Sequence, residues 1–298
     1  MAKRHKNGLL CLFIIMLLSS CTLDKTDYEE EISIEIPEDT GFQEAVSLNN
    51  GNYNISIEAL NGTFYKGYNA IRLTLANTQT NENITTSNVT FLPLVLNENN
   101  ESFPCPHQYE LTYNTDGGYY SGYVVFTEAS TTNANWELQI AFTDNSQTFV
   151  SNTNITVKTQ PNKNLNMTAF TGNNGQQYII ALVAPQDPKI AENELVAGIY
   201  QYASPTAYTQ VSNHVLKLDP RMPEPSMGNH SSPNNKDLTQ HDNGLYYGVV
   251  NYTMTGNWTL NFILLNENNE VVKGTEVPTD FTPGIQGAKS ELFIDILF

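Results

Sequence analysis

Short runs of alternating apolar and polar residues recur along most of the chain. Clear examples are YNISIEAL, AIRLTLAN, YVVF, WELQIAF and WTLNFILL, at residues 53–60, 70–77, 123–126, 136–142 and 258–265. Clusters of Asn, Gly, Asp and Pro separate these runs, and there is no helical apolar stripe of useful length. Alternation with a period of two turns every second side chain inward. The pattern therefore predicts an all-β chain folded into antiparallel β-sandwiches.

The chain contains two copies of one unit, which predicts two tandem domains. Residues 117–142 (GGYYSGYVVFTEASTTNANWELQIAF) are similar to residues 243–264 (NGLYYGVVNYTMTGNWTLNFIL). The matched positions are Gly118, Tyr120, Gly122, Phe126, Trp136 and Leu138 in the first copy and Gly244, Tyr246, Gly248, Tyr252, Trp258 and Leu260 in the second. Each copy has the size of one sandwich, so we place the domains at residues 48–160 and 161–298.

The two tryptophan strands have a plain structural explanation. In WELQIAF every second residue is apolar, and WTLNFILL repeats that arrangement with Trp258 in the place of Trp136. Such residues line the inward face of a strand. A platform of aromatic rings that binds sugar is the alternative, but the strand period already accounts for every ring.

The first 20 residues resemble a lipoprotein signal peptide. A short basic head precedes the apolar run GLLCLFIIMLLSS, which is too short to span a membrane as a helix. The run ends in LSSC at residues 18–21, which is similar to the bacterial lipobox. The resemblance implies that residues 1–20 are removed and that Cys21 is lipidated. The protein would then be an outer-membrane lipoprotein of the bacterial cell envelope, on its periplasmic or its surface-exposed face.

Charge and cysteine usage narrow the partners further. Residues 22–47 hold nine acidic residues and one lysine, so we expect residues 21–47 to form a disordered acidic tether. The formal net charge of −17 argues against nucleic acid and anionic lipid as partners, although the N-terminal lipid would attach the protein to a membrane. With Cys11 removed and Cys21 lipidated, Cys105 has no partner for an intrachain disulfide.

The stretch RMPEPSMGNHSSPNNKDLTQHD at residues 221–242 concentrates soft metal ligands. Met222, Met227 and His230 lie close together in a chain that has only 6 Met and 5 His. The prolines in and before the stretch predict an irregular loop that excludes regular strand pairing. Thioethers with an imidazole suit Cu(I) better than Mg, Ca or Mn. The alternative is an ordinary loop whose methionines pack on the sandwich.

Four other residues are possible ligands. Met254 would add a thioether if its strand end faced the loop, and His241 either ligates or caps the next turn. In the first copy the equivalent loop has no methionine but contains Cys105 and His107 as Cys-x-His. The first domain is therefore a structural partner or a second soft site. If the two loops faced one another, their ligands could be pooled.

The second copy also resembles the FixH/YtkA-like family of extracytoplasmic proteins. The resemblance covers about forty residues well and consists of a Met/His-containing, Pro-rich loop followed by Gly-x-Tyr-x-Gly-x-Val-x-aromatic and Gly-x-Trp-x-Leu. The matching residues are Met222, Met227, His230, Pro233, Gly244, Tyr246, Gly248, Val250, Tyr252, Gly256, Trp258 and Leu260. The resemblance implies two immunoglobulin-like β-sandwich domains, a bound copper ion, and a copper-receiving envelope protein as partner.

The sequence contains no catalytic constellation, so we expect a protein that is not an enzyme. There is no Gly-x-Ser-x-Gly, no His-Glu-x-x-His and no phosphate-binding Gly loop. Three hypotheses remain. The first is a lipoprotein that binds copper through the second domain. The second is a surface lipoprotein that binds another protein or a glycan without metal. The third is a structural envelope protein.

Overall fold

The computed structural model describes residues 41–85, 87–99, 101–161, 163–204 and 207–297. Within these ranges every regular element is a β-strand except a single 3-10 turn, and the all-β prediction is confirmed. No helix in the described part of the chain is long and apolar enough to cross a membrane. The predicted signal peptide, Cys21 and most of the acidic tether lie outside the described residues.

The first domain is a sandwich of two antiparallel sheets. Its strands are β1 (Phe42–Asn50), β2 (Tyr53–Leu60), β3 (Phe64–Tyr65), β4 (Gly67–Asn77), β5 (Glu82–Asn83), β6 (Thr90–Asn97), β7 (Ser102–Pro104), β8 (Thr112–Asn114), β9 (Tyr119–Phe126), β10 (Ala134–Asp144), β11 (Gln147–Ile155) and β12 (Val157–Lys158). One sheet has the order β1-β2-β4-β9-β8, with β5 beside β4, and the other has the order β11-β10-β6-β7. The short strands β3 and β12 pair in parallel.

Alternation along the strands explains the core of this sandwich. In β2 every second residue is buried, as the pattern of YNISIEAL predicts. In β10 the side chains of Trp136, Leu138, Ile140 and Phe142 are fully buried, which confirms the predicted inward face. The ring of Tyr53 from one sheet meets that of Phe142 from the other at 5.1 Å between centroids. Both sheets thus contribute to one hydrophobic cluster.

The first strand begins earlier than the sequence suggested. We expected the tether to extend to residue 47, but β1 starts at Phe42 and pairs with β2 along its length. The acidic composition of this region suggested a self-repelling tether. In the structure the charged residue of β1, Glu44, is instead hydrogen-bonded by a neighbouring strand. Ser56 Oγ donates to Glu44 Oε2 at 2.7 Å, and the guanidinium of Arg72 lies 3.9 Å from the centre of the Phe42 ring.

The second domain is one continuous antiparallel sheet that wraps around its own core. Its strands are β13 (Met167–Thr171), β14 (Gln177–Ala184), β15 (Glu192–Ser204), β16 (Ala207–Gln210), β17 (Val215–Met222), β18 (His230–Ser231), β19 (Lys236–Gln240), β20 (Tyr246–Asn251), β21 (Asn257–Leu265), β22 (Val271–Lys273) and β23 (Leu292–Leu297). The order is β13-β14-β15-β20-β19-β17-β21-β22, with β16 on β15, β18 on β17 and β23 on β21. The two ends of the sheet meet, since the Asn166 side chain just before β13 donates from Nδ2 to the backbone carbonyl of Asp295 in β23 at 3.1 Å.

The two tryptophans have similar environments in the two copies. Trp136 opens the inward face of β10 and Trp258 that of β21, and both are fully buried. Each indole N–H donates at 3.0 Å to a carbonyl of the segment just before its strand, Glu128 O for Trp136 and Met254 O for Trp258. Their burial is that of core residues, and they are not placed as an exposed platform.

A cluster of aromatic side chains joins the two domains. Tyr68 stacks on Tyr123 at 5.6 Å between ring centroids, and Tyr123 lies 5.6 Å from Tyr200 of the second domain. Val125 and Ile179 pack into the same cluster from opposite sides. Burial, with Tyr123 and Tyr68 close by, raises the pKa of Tyr200 well above its ordinary value. The tyrosines therefore contribute as neutral, packed rings.

Candidate functional site

The methionine- and histidine-rich stretch forms a hairpin. Strand β17 continues through Arg221 and Met222, and β18 returns along it with Arg221 opposite Ser231 and Met222 opposite His230. The 3-10 turn Pro225–Met227 and Gly228 join the two strands, with Gly228 in the left-handed region at φ 64°. The prediction that residues 221–242 lack regular pairing is therefore wrong where β17, β18 and β19 (Lys236–Gln240) cross the stretch. It holds for the segments between these strands.

The position of Pro220 explains how a proline-rich segment forms a strand. On one side of β17, Pro220 lies opposite Leu260 of β21. On the other side, β19 pairs only with Val215 and Leu216, and β18 begins opposite Arg221. Pro220 therefore faces a gap between two short partner strands, where its missing N–H removes no ladder hydrogen bond.

The hairpin brings the three predicted ligands to one end of the second domain. Directly opposed residues of an antiparallel pair project their side chains from the same face, so Met222 and His230 are neighbours. Met222 is fully buried in the domain core, and Met227 packs partly buried against the same core. His230 is partly exposed. Both methionines thus have the packing role of the alternative hypothesis, while His230 keeps access to solvent.

His230 is held by two contacts. Its Nε2 lies 2.8 Å from Thr253 Oγ1, so one ring nitrogen is engaged by a hydroxyl. Its ring lies 6.1 Å from that of Trp258 between centroids, with an angle of 62° between the planes. These contacts fix the imidazole beside the buried indole.

The segment of residues 253–256 contacts His230, Met222 and Trp258. The sequence pattern singled out Met254 and Gly256 in this segment but not Thr253. Thr253 reaches His230, and the carbonyl of Met254 accepts the Trp258 indole N–H. Gly256 approaches Met222 so closely that a Cβ there would lie 2.9 Å from the Met222 Cε. The Met254 side chain is 36% exposed and lies at the surface of the turn. The sequence signal was the connection before Trp258, which is four residues shorter than the one before Trp136.

His241 lies beside the end of β17 that is opposite to Met222. It follows β19, which pairs with β17 at Val215, seven residues from Met222. At about 3.3 Å per residue this places it roughly 20 Å from the hairpin. Its ring packs on Tyr247 at 4.3 Å, and its carbonyl accepts the Gly244 N–H. The structure thus gives it the turn-capping position and does not bring it to the methionines.

Cys105 and His107 are also remote from the hairpin. Cys105 is fully buried in the first domain and close enough to Tyr208 to contribute to the raised pKa of that residue. Tyr208 pairs with Tyr202 of β15. Glu192, ten residues earlier in β15, lies at the end of the strand nearest the hairpin. That distance is about 30 Å along the strand. The pooled set of ligands from both domains is therefore not assembled.

The local chemistry of Cys105 and His107 is that of buried groups. Burial raises the pKa of the Cys105 thiol well above its ordinary value, so the reactive thiolate is disfavoured. Burial also lowers the pKa of His107, and its Nδ1 lies 2.7 Å from the Cys105 carbonyl oxygen. The sulfur and the imidazole thus have structural contacts of their own.

A long connection after β22 covers the outer side of the hairpin. The Gly287 N–H donates to Pro223 O at 2.7 Å, and Asn229 Nδ2 donates to Pro278 O at 3.2 Å. Within this connection Phe281 is 43% and Ile285 60% exposed. The hairpin is therefore fixed on its outer side too, next to two exposed apolar side chains.

No site of the usual carboxylate, histidine or cysteine type is formed elsewhere in the described chain. Among its residues, no three His, Cys, Asp or Glu side chains are grouped so that they could hold a metal ion. A cavity of about 280 Å³ lies beside β17 and β21, and two of the three acids that line it are engaged. Asp219 pairs with Arg221 at 2.9 Å, and Asp237 Oδ1 accepts the Leu218 N–H at 2.9 Å.

Comparison with known proteins gives little further guidance. No family model and no curated protein matches the chain. A solved structure described as the conserved domain protein from Bacillus anthracis is 14% identical over 86% of this chain and 90% of that chain, with a TM-score of 0.29. Similarity at that level supports no conclusion about fold or function.

Proposed function

We propose that this protein is an envelope-anchored lipoprotein that binds a soft metal ion, copper above all, through Met222, Met227 and His230 of the second domain. Its role would be to hold copper or to deliver it to a receiving envelope protein. The observation that supports the proposal most is the direct pairing of Met222 with His230 in the hairpin that also contains Met227. One short segment thus presents two thioethers and an imidazole from a single end of the domain.

The donor set fits Cu(I) in both softness and arrangement. Thioether sulfur and neutral imidazole are ligands that Cu(I) accepts, and neither needs to lose a proton at neutral pH. With its proton on Nε2, His230 donates to Thr253 Oγ1 and offers the Nδ1 lone pair to the ion. Such an outer hydrogen bond orients metal-bound histidines in general. Because Met222 is buried and His230 is partly exposed, the ion would enter from the His230 side.

The test is a Cu(I) competition titration of the purified protein against a chromophoric chelator, without oxygen. We expect one tightly bound equivalent, and we expect it to be lost when Met222→Leu, Met227→Leu and His230→Gln are combined. Met167→Leu and His241→Gln are matched controls, since they remove the same kinds of side chain elsewhere in the second domain. Equal binding by the triple variant would refute these ligands.

A second control removes a thiol. Because thiolates bind Cu(I) as well, the titration is repeated on the Cys105→Ala variant, since Cys105 would be the remaining thiol once residues 1–20 are removed and Cys21 is lipidated. An unchanged stoichiometry assigns the ion to the second domain. Loss of binding in this variant alone would assign it to sulfur outside the hairpin and would contradict the proposal.

The exposed apolar side chains beside the hairpin favour one alternative, a lipoprotein that binds another protein without metal. Phe281 and Ile285 project from the connection that covers the hairpin and would form the contact. A partner that still binds the triple ligand variant but not Phe281→Ser with Ile285→Ser would support this alternative.

A further inference from the structure

Trp258 is packed beside the candidate ligands. It is fully buried at the start of β21, and its indole N–H donates to Met254 O at 3.0 Å. The ring of Tyr252 packs on it at 5.4 Å between centroids, and the His230 ring lies at 6.1 Å. The hydrogen bond and the two ring contacts orient the indole beside His230.

The segment of residues 253–256 contacts both the indole and the candidate ligands. Thr253 holds His230, Met254 holds the indole, and Gly256 packs against the Met222 methyl. Since one four-residue turn contacts all three side chains, Met222, His230 and Trp258 keep a fixed mutual arrangement. An ion held by Met222 and His230 would therefore lie against the indole ring.

We propose that Trp258 is part of the metal site and makes it selective for a monovalent soft ion, Cu(I) or Ag(I), over divalent ions. This inference rests on the proposed function. A cation against an indole face is attracted by the ring quadrupole, and the attraction is strongest where water is excluded. The indole adds this attraction without adding a negative charge or a bond that a divalent ion could use.

Charge balance also favours a monovalent ion. The donor set of two thioethers and one imidazole is neutral, and the desolvation cost of an ion rises steeply with its charge. Glu224 is the only acid between Met222 and Ser231, and its Oε1 accepts from Asn257 Nδ2 at 2.7 Å. The hairpin itself therefore contributes a single negative charge beside a neutral donor set.

The fluorescence of Trp258 provides the test, because the chain has only two tryptophans. Trp136→Phe leaves Trp258 as the sole indole emitter with the site unaltered. We expect one equivalent of Ag(I) to quench most of its emission and an equal concentration of Zn²⁺ to leave it unchanged. Trp258→Phe leaves only Trp136, the equivalent residue of the domain whose loop lacks methionine, and Ag(I) should not change its emission.

Affinity gives a second measurement. Replacing the indole with a weaker ring in Trp258→Phe should lower Ag(I) affinity roughly 2- to 30-fold, with melting curves confirming that the variant folds. Absence of metal binding by the wild-type protein would refute the proposed function itself. Binding with unquenched Trp258 emission would refute only the role of Trp258, even if the Trp258→Phe protein failed to fold. Equal quenching by Zn²⁺ would refute the selectivity.

Discussion

Replacing Met222 by leucine separates its two roles, since leucine keeps the packing and removes the sulfur. Met222 is fully buried, so Met222→Ala would cost about 2–5 kcal/mol of unfolding free energy, whereas a volume-conserving change to leucine costs less than about 1.5 kcal/mol. In the metal-free protein, Met222→Leu should therefore melt within a few degrees of the wild type.

The rise in melting temperature on metal binding distinguishes the two roles of Met222. An ion at about 100 times its dissociation constant stabilises the folded state by about 2.7 kcal/mol, which corresponds to a rise in Tm of about 10 °C for a domain of this size. We expect Ag(I) to produce such a rise in the wild type and in Met167→Leu, but not in Met222→Leu. The assay is thermal unfolding followed by circular dichroism, with and without Ag(I). An undiminished rise in Met222→Leu would show that its sulfur is not a ligand.

Three further predictions concern the turn, the domain contact and pH. Gly256→Ala should cost about 1–3 kcal/mol of unfolding free energy and weaken Ag(I) binding. Gly256 has φ 127°, and the new Cβ would press on the Met222 methyl. Wild-type Ag(I) affinity in this variant would contradict the prediction. Tyr200→Ala should cost about 3–5 kcal/mol and split thermal unfolding into two calorimetric transitions; one unsplit transition would show that the tyrosine cluster does not couple the domains. Burial lowers the pKa of His107 below its ordinary 6.5, so the contribution of the neutral ring to stability is complete above that pH and is lost as the pH falls below it. In His107→Gln the denaturation midpoint should therefore depend less on pH between about pH 7 and 5. An unchanged pH dependence of the midpoint would refute this.

Periodicity determined the strands because every second side chain had to be apolar on a buried face. It located β2, β10 and β21, and it oriented Trp136 and Trp258 inward. The repeat predicted that one unit occurs twice, and that remains a prediction. Composition was a poorer guide, because acidic residues concealed β1 and prolines concealed the hairpin, in both cases through contacts made by distant parts of the chain.

The candidate site shows the same division between sequence and tertiary structure. The sequence alone identified Met222, Met227 and His230, because their side-chain types and their closeness are local properties. Only the tertiary structure decided that Met222 lies in the core, that His241 and Cys105 are far from the hairpin, and that Thr253, Gly256 and Trp258 surround it. Strand order, and not closeness in sequence, decides which side chains meet, and pairing between β17, β18 and β21 is a long-range property that no single stretch contains.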